Sequence, residues 1–472
     1  MRPRRLLWVA VALYGCGFAV LSILRHRAFS TGRFDLGNMT QAVWATAHGH
    51  PLAVTSLEGE QFVRLGAHVD PLLVLLAPLW WLWPSPELLL TVQAIAIALG
   101  AVPLYWLACK HLASERAALG FALAYLLLPA LQWMTLSEFH PVALATPLLL
   151  LALWYLDEER LAPFALVALL AAGGKEHIPL ALAGLGVWHA LSRRRLWPGA
   201  AIVAGGVALS AVAVGVVIPR FRPEGSELFL ERYGDVGGSP GGILSTALTD
   251  PGAVLGETLD GPGLALVAQL VLPLAGLSLL APLALLGGGA ELVLNLLSAS
   301  RAQTSIHYHY SAATLAALAG AAVLGTARLS RLRPRLAEAA AALVLVVSLA
   351  SNYVLGPLPL WRLLPGGEQL GTGTARITDR DRVAAEAVRQ IPPDAVVTAS
   401  NSLGAHLSER RRILSWPLLG DATWVAVDGV RPGPADRIAP AQHARAIARL
   451  RSDRAWRLVF QRDGVLVFRR QS

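Results

Sequence analysis

The chain has 472 residues, 55% of them hydrophobic and 15% charged, and its mean hydropathy is +0.52. Soluble domains carry about 25% charged residues, so a single water-soluble globule is excluded, as is intrinsic disorder, which needs low hydrophobicity. The formal net charge is +9, and the tail from Trp361 to Ser472 concentrates it, with 18 Arg against 11 Asp and Glu. Basic charge of this kind suits nucleic acid or anionic lipid headgroups. In a chain dominated by apolar runs near the ~20 residues that span a bilayer, the lipid surface is expected and nucleic acid is not. Two cysteines, Cys16 and Cys109, both in apolar runs, leave no disulfide framework or Cys-based metal site.

The N-terminal Met1-Arg-Pro-Arg-Arg5 precedes an apolar stretch at 6–24 with no small-x-small cleavage site before Arg25. It reads as an uncleaved first span with a cytoplasmic basic end. A polar outer loop follows at 25–70. Residues 71–83 are apolar but short and carry Trp80, Trp81 and Trp83, which suits an interfacial helix. Further spans are predicted at 87–108, 117–134, 141–156, 161–172, 178–191, 197–218, 263–279, 282–297, 311–327 and 336–355, with a second outer loop at 219–262. About eleven spans result. This register places the basic clusters at 1–5, 110–116, 193–195 and 328–335 on one side, as the positive-inside rule requires.

The fold class is therefore mainly α, with a transmembrane helical domain at 1–356 and an extracytoplasmic α/β domain at 357–472. In that tail, helices are predicted at 379–390, 403–409 and 442–451. Strands are predicted at 395–400, 412–416, 424–428, 457–461 and 465–469. The protein is expected in the plasma (cytoplasmic) membrane, its N-terminus cytoplasmic and its C-terminal domain outside.

Ionisable residues near hydrocarbon are costly and mark function. The outer side holds Phe34-Asp35-Leu-Gly-Asn38, His68-Val-Asp70-Pro71, Glu138-Phe-His140-Pro141, Lys175-Glu176-His177 and Ile306-His307-Tyr308-His309-Tyr310. Eight of the twelve histidines fall there, and three of the five segments set His beside a carboxylate. A carboxylate at the membrane boundary can act as general base toward a hydroxyl, and Lys or Arg can neutralise a departing phosphate. Lys175 stands out because Lys110 is the only other lysine; Arg64 and Arg301 are further cations of this face. Structural roles compete. Asp35 opens the helix predicted at 36–47 and is a sufficient N-cap, Pro141 suits a helix start, and His307 to Tyr310 suits an aromatic belt. A divalent cation (Mg or Mn), if bound, is expected at Asp35, Glu138 and His140, although no fixed metal-binding spacing occurs.

One span, an outer loop opening on an aspartate, a Trp-capped interfacial helix, hairpins with basic turns and an outer soluble domain together resemble the GT-C superfamily of membrane glycosyltransferases. More narrowly, Phe34-Asp-Leu-Gly-Asn38, His68-Val-Asp-Pro71, Glu138-Phe-His-Pro141 and Lys175-Glu-His177 are similar to the prokaryotic membrane family known as domain of unknown function 2079. The superfamily resemblance implies a polyprenyl-phosphate-linked sugar donor and transfer to an extracytoplasmic acceptor. Asp35 would then be base or metal ligand, and Glu138 a second acid. Many GT-C first loops carry paired acids, whereas Leu36 follows Asp35 here and Asp70 is the nearest other acid.

On this reading Asp35, Glu138 and His140 are catalytic. Lys175 with Arg64 or Arg301 holds the donor phosphate, and His307, Tyr308, His309 and Tyr310 line its groove. Glu176, His177, His68 and Asp70 complete the substrate-binding set. The alternative is a transporter, or a lipid-handling or scaffold protein of the envelope, without covalent chemistry. Transporters place ionisable groups at the bilayer midplane, whereas these gather at one boundary.

Overall fold

The computed structural model describes residues 2–223, 229–365, 375–431, 436 and 439–471; part of the predicted 219–262 loop and of the tail lies outside them. Most of the chain is helical. Five helices are long and apolar enough to cross a membrane: Pro3–Arg27, Pro86–Leu112, Leu196–Phe221, Ala312–Ser330 and Leu336–Leu355. A sixth crossing results if the pair Glu115–Leu126 and Pro129–Leu136, bent by 47°, is one span. The remaining predicted spans coincide with helices of 10–17 residues, such as Pro141–Asp157 and Ile178–Ser192. By length and composition, five helices, or six with the bent pair as one, are candidate crossings among the described residues.

Ala312–Ser330 is the most buried of the long helices, at 83%. Its sequence is rich in Ala, with Gly320 and Gly325, and small residues let helix backbones approach closely in a membrane. The same device joins Ile178–Ser192 to Pro282–Leu296: a Cβ on Gly184 would sit 1.9 Å from the Leu286 carbonyl oxygen. At one end of the bundle Asp157 is fully buried and receives Lys110, His111 and Arg193. The basic turns at 110–116 and 193–195 are therefore clasped by one carboxylate, which satisfies a charge that would otherwise be costly to bury.

The tail forms a five-stranded sheet. Its strands are β3 (Val397–Ala399), β4 (Ile413–Ser415), β5 (Trp424–Asp428), β6 (Trp456–Arg462) and β7 (Val465–Arg470), in the order β4-β3-β5-β7-β6. Strand β3 runs parallel to β4 and β5, while β7 is antiparallel to β5 and β6. The alternation of strand side chains gives the sheet two apolar faces. Ala426, Val465 and Val467 pack toward helix Asp379–Arg389, and Val425, Val427, Leu466 and Phe468 toward helix Pro440–Ser452. Thr378 and Asp381 start the first of these helices with a reciprocal capping box.

This sheet domain sits on the predicted outer loop 25–70, which contributes a small hairpin, β1 (Ala53–Thr55) and β2 (Gln61–Val63). Arg33 is 4% exposed. Its guanidinium donates to the Thr55, Ser56 and Ile413 carbonyls and to Ser415 Oγ. Gln41 donates to the Arg410 and Arg411 carbonyls and to Thr55 Oγ1. The rings of His26 and His406 stack at 4.0 Å. The tail is thus fastened to the segment that carries Asp35.

Candidate functional site

Asp35 lies in a wide π-type turn, Arg33–Gly37, which leads into helix Asn38–Ala47; such turns recur at functional sites. Its side chain is 40% exposed and its Oδ1 is 3.3 Å from His140 Nε2. The Asn38–Ala47 helix has no side-chain cap, so the N-cap role open to Asp35 from its sequence position is not the one it fills. Burial raises the Asp35 carboxyl, but His140, Arg64 and Lys175 outweigh it and hold the group below its usual value. Asp35 is therefore an anion at neutral pH.

The turn is held from two sides. Glu138 accepts from the backbone N–H of Gly32 at 3.0 Å and of Leu36 at 2.8 Å. On the other side Asn401 of the tail accepts from the Phe34 N–H at 3.0 Å. A Cβ on Gly32 would lie 2.2 Å from Asn401 Nδ2, so only glycine allows this approach. Gln93, fully buried in Pro86–Leu112, donates to the Glu138 carbonyl at 2.5 Å and accepts from the His140 N–H at 2.9 Å. Glu138, His140 and Asp35 are thereby set by a residue that sequence reading missed. The available signal was a lone glutamine inside an apolar span.

Around Asp35 lies a cavity of about 630 Å³, lined among others by Asn38, Arg64, His68, Asp70, His140, Lys175, Arg222, Glu231, Arg232, His309 and Tyr310. His309 stacks on His140 at 3.5 Å. Burial and the neighbouring cations keep the His309 ring neutral, its pKa well below the ordinary histidine value. Lys175 Nζ lies 5.6 Å from the Tyr310 ring centroid. No carboxylate bonds the Lys175 ammonium among the described residues, and burial lowers its pKa, with Glu176 and Asp70 pulling the other way. Arg222 Nη2, His140 Nδ1 and His309 Nδ1 are buried without a hydrogen-bond partner among the described residues. A cation and a donor without a hydrogen-bonded counter-group among the described residues suit one cavity to an anion.

Other expected site residues have partners of their own. Arg64 binds Asp70 through two nitrogens at 2.7–3.1 Å and also reaches Asn38 Oδ1. Glu176 accepts from His68 Nδ1 and from the Val69 N–H, both at 3.1 Å, and these contacts hold its carboxyl below the ordinary range despite burial. His177 meets Glu291 at 3.2 Å. Arg301, His307 and Tyr308 are exposed and do not line the cavity. Arg222 and Arg232, from the 219–262 loop, stand where Arg301 was expected. The glycine- and proline-rich sequence around them offered no periodicity to single them out.

A divalent cation does not fit the residues expected to hold it. Among the described residues no three His, Cys, Asp or Glu side chains are grouped to hold a metal ion. Glu138, one of the three expected ligands, turns its oxygens to the Gly32 and Leu36 amides.

A family model described as a predicted membrane protein, domain of unknown function 2079, matches residues 25–467. The chain belongs to this family. No curated protein matches the sequence. The match takes in the candidate spans after Pro3–Arg27 and nearly all of the sheet domain, so the seam between the tail and the Asp35 turn lies within the DUF2079 region.

Burial and the nearby Asp35 charge raise the Glu138 carboxyl from 4.5 to about 8. The folded state then binds a proton that the unfolded state releases, so stability falls as pH rises between those two values. Glu138→Gln cannot titrate and is expected to flatten that decline in thermal-melt series across the interval. A slope identical to the wild type would assign it to another group.

Proposed function

We propose that this protein transfers a sugar from a polyprenyl-phosphate-linked donor to an acceptor hydroxyl on the cavity side of the membrane. The observation that carries this reading is a half-exposed, anionic Asp35 in one cavity with Lys175 and Arg222, where among the described residues no carboxylate bonds Lys175 and Arg222 Nη2 has no partner. The acceptor oxygen attacks the anomeric carbon while its proton passes to Asp35. The bond from that carbon to the phosphate oxygen breaks, and the phosphate leaves with the electron pair. Lys175, Arg222 and Arg232 stabilise the charge that develops there, and His140 orients the Asp35 carboxylate. Glu138 acts through the turn, as a positioning residue. A second, smaller pocket of about 160 Å³, lined by Phe34, Glu58, Asn401, Ser415, Trp416 and Asp436, shares Phe34 and Glu58 with the cavity and gives the acceptor an approach from the tail domain.

The finer topology belongs to the same proposal: a GT-C-like chain with about eleven crossings, an N-terminus in the cytoplasm of a cell-envelope protein, and an extracytoplasmic domain at 357–472. The test is mass spectrometry of surface glycolipids and glycoproteins from a deletion strain complemented with wild type or Asp35→Asn. Removing a general base costs about 10²–10⁴-fold in rate, so the Asp35→Asn profile is expected to match the deletion. Profiles unchanged in both strains would sink transfer chemistry. A lipid-handling protein without covalent chemistry is the reading left if polyprenyl phosphate still binds.

A further inference from the structure

The loop predicted at 219–262 contains two short helices, Pro240–Thr249 and Pro251–Thr258. Leu244 is 63% exposed, Leu248 77%, Leu255 56% and Leu259 58%. Within each pair the leucines are four residues apart, so each pair shares one helical face. Between Ser239 and Asp260 the only charged residues are Asp250, Glu257 and Asp260. Asp250 and Asp260 are occupied as helix caps, accepting from the Ala253 and Gly263 N–H groups. This leaves a leucine face with almost no charge beside it. A contiguous apolar patch of this kind on a protein surface marks something that covers it.

The position of the segment says what covers it. It follows, after residues 222–238, the helix Leu196–Phe221, which is long enough to cross the membrane, and runs directly into the apolar helix Gly261–Leu274. Val212 and Val216 near the end of the first are 50% and 60% exposed, and Leu264 and Leu272 of the second 52% and 61%. The leucines therefore lie along the chain between two helices that themselves expose apolar side chains. We propose that residues 239–260 lie in the bilayer surface at the cavity end of the molecule, with Leu244, Leu248, Leu255 and Leu259 among the acyl chains. The role is that of a short, nearly uncharged helix pair lying in the bilayer surface. The same loop supplies Arg222 and Arg232 to the cavity, so a lipid phosphate travelling along this surface meets those cations without leaving the membrane. That consequence rests on the phosphate reading of the cavity, whereas the immersion of the leucines does not.

The test uses the full chain in phosphatidylcholine proteoliposomes, with Cys16→Ser and Cys109→Ser as background. A nitrobenzoxadiazole dye is attached at Leu248→Cys, at Leu255→Cys or, as a water-exposed reference, at Ser452→Cys in the tail. Brominated acyl chains are expected to quench the dye at positions 248 and 255 at least twofold more than at 452, with blue-shifted emission. Equal quenching at all three positions overturns the proposal. So does disulfide cross-linking between copies through position 248 in place of lipid quenching, which assigns the face to a second copy of the chain. Because no transferase activity is read, failure here leaves the sugar-transfer reading standing, and the reverse also holds.

Discussion

Lys175→Ala is expected to lower the affinity of the detergent-solubilised protein for a polyprenyl phosphate by about 10- to 150-fold. The magnitude follows from losing one hydrogen bond to a charged group, worth ~1.5–3 kcal/mol, at tenfold in affinity per 1.4 kcal/mol. Arg222→Ala should weaken binding to a similar degree, because its Nη2 has no partner among the described residues. Arg301→Ala should leave affinity unchanged, since Arg301 is exposed and outside the cavity lining. Arg64→Ala differs again. Arg64 is bound through two nitrogens to the buried Asp70, so its loss strands a carboxylate and should lower thermal stability before it touches binding. Equal affinities for wild type and Lys175→Ala, measured by titration against intrinsic tryptophan fluorescence, would remove the phosphate site from this cavity. The salt dependence is a second check, because a contact made by unpaired cations weakens as ionic strength rises.

Arg33→Ala is expected to release the tail domain from the first loop. The guanidinium satisfies three carbonyls and one hydroxyl from two segments, the farther of which lies up to 382 residues along the chain from Arg33. Removing one partner of a buried charged network costs about 3–5 kcal/mol. Most of that cost falls on the seam between the loop and the sheet, since no membrane helix contributes an acceptor. Hydrogen exchange should therefore rise by orders of magnitude at the amides that cross the seam. The Phe34 N–H reaches Asn401 Oδ1 and the Ile413 N–H reaches Thr55 Oγ1, and both should lose protection while the amides of Ala312–Ser330 keep theirs. Because the Asp35 turn is braced by Asn401, transfer should fall with the docking, and Arg33→Lys should restore part of each. Wild-type protection at both seam amides in the alanine variant would show that the tail is held by other contacts.

The local character of the chain was legible without tertiary information. Apolar runs announced helices at every predicted span, and in the tail the strands at 424–428 and 465–469 match the observed ones within a residue. Periodicity is a property of neighbours along the chain, so it survives without knowledge of the fold. Crossing number is another matter. Helices such as Leu161–Ala172 are apolar but only 12 residues long, and length rather than composition sets what spans a bilayer.

The site divides in the same way. That ionisable residues gather at one end was visible because charge is scarce in this composition, and Asp35, His140, Lys175, His309 and Tyr310 do share a cavity. Which of them are free to act was not visible. Asp70 and Glu176 carry the same carboxylate as Asp35, yet one is held by Arg64 and the other by His68. Glu138 faces backbone amides 106 and 102 residues away. Sequence by itself determined a helical membrane protein with a basic α/β tail and a polar cluster at one boundary, because hydropathy and charge are summed residue by residue. Tertiary structure alone decided that Glu138 braces the Asp35 turn, that Arg222 and Arg232 line the cavity while Arg301 does not, and that the tail docks against that turn. Pairing is a contest among groups brought together from distant segments, and the winner depends on distance and burial rather than on residue type.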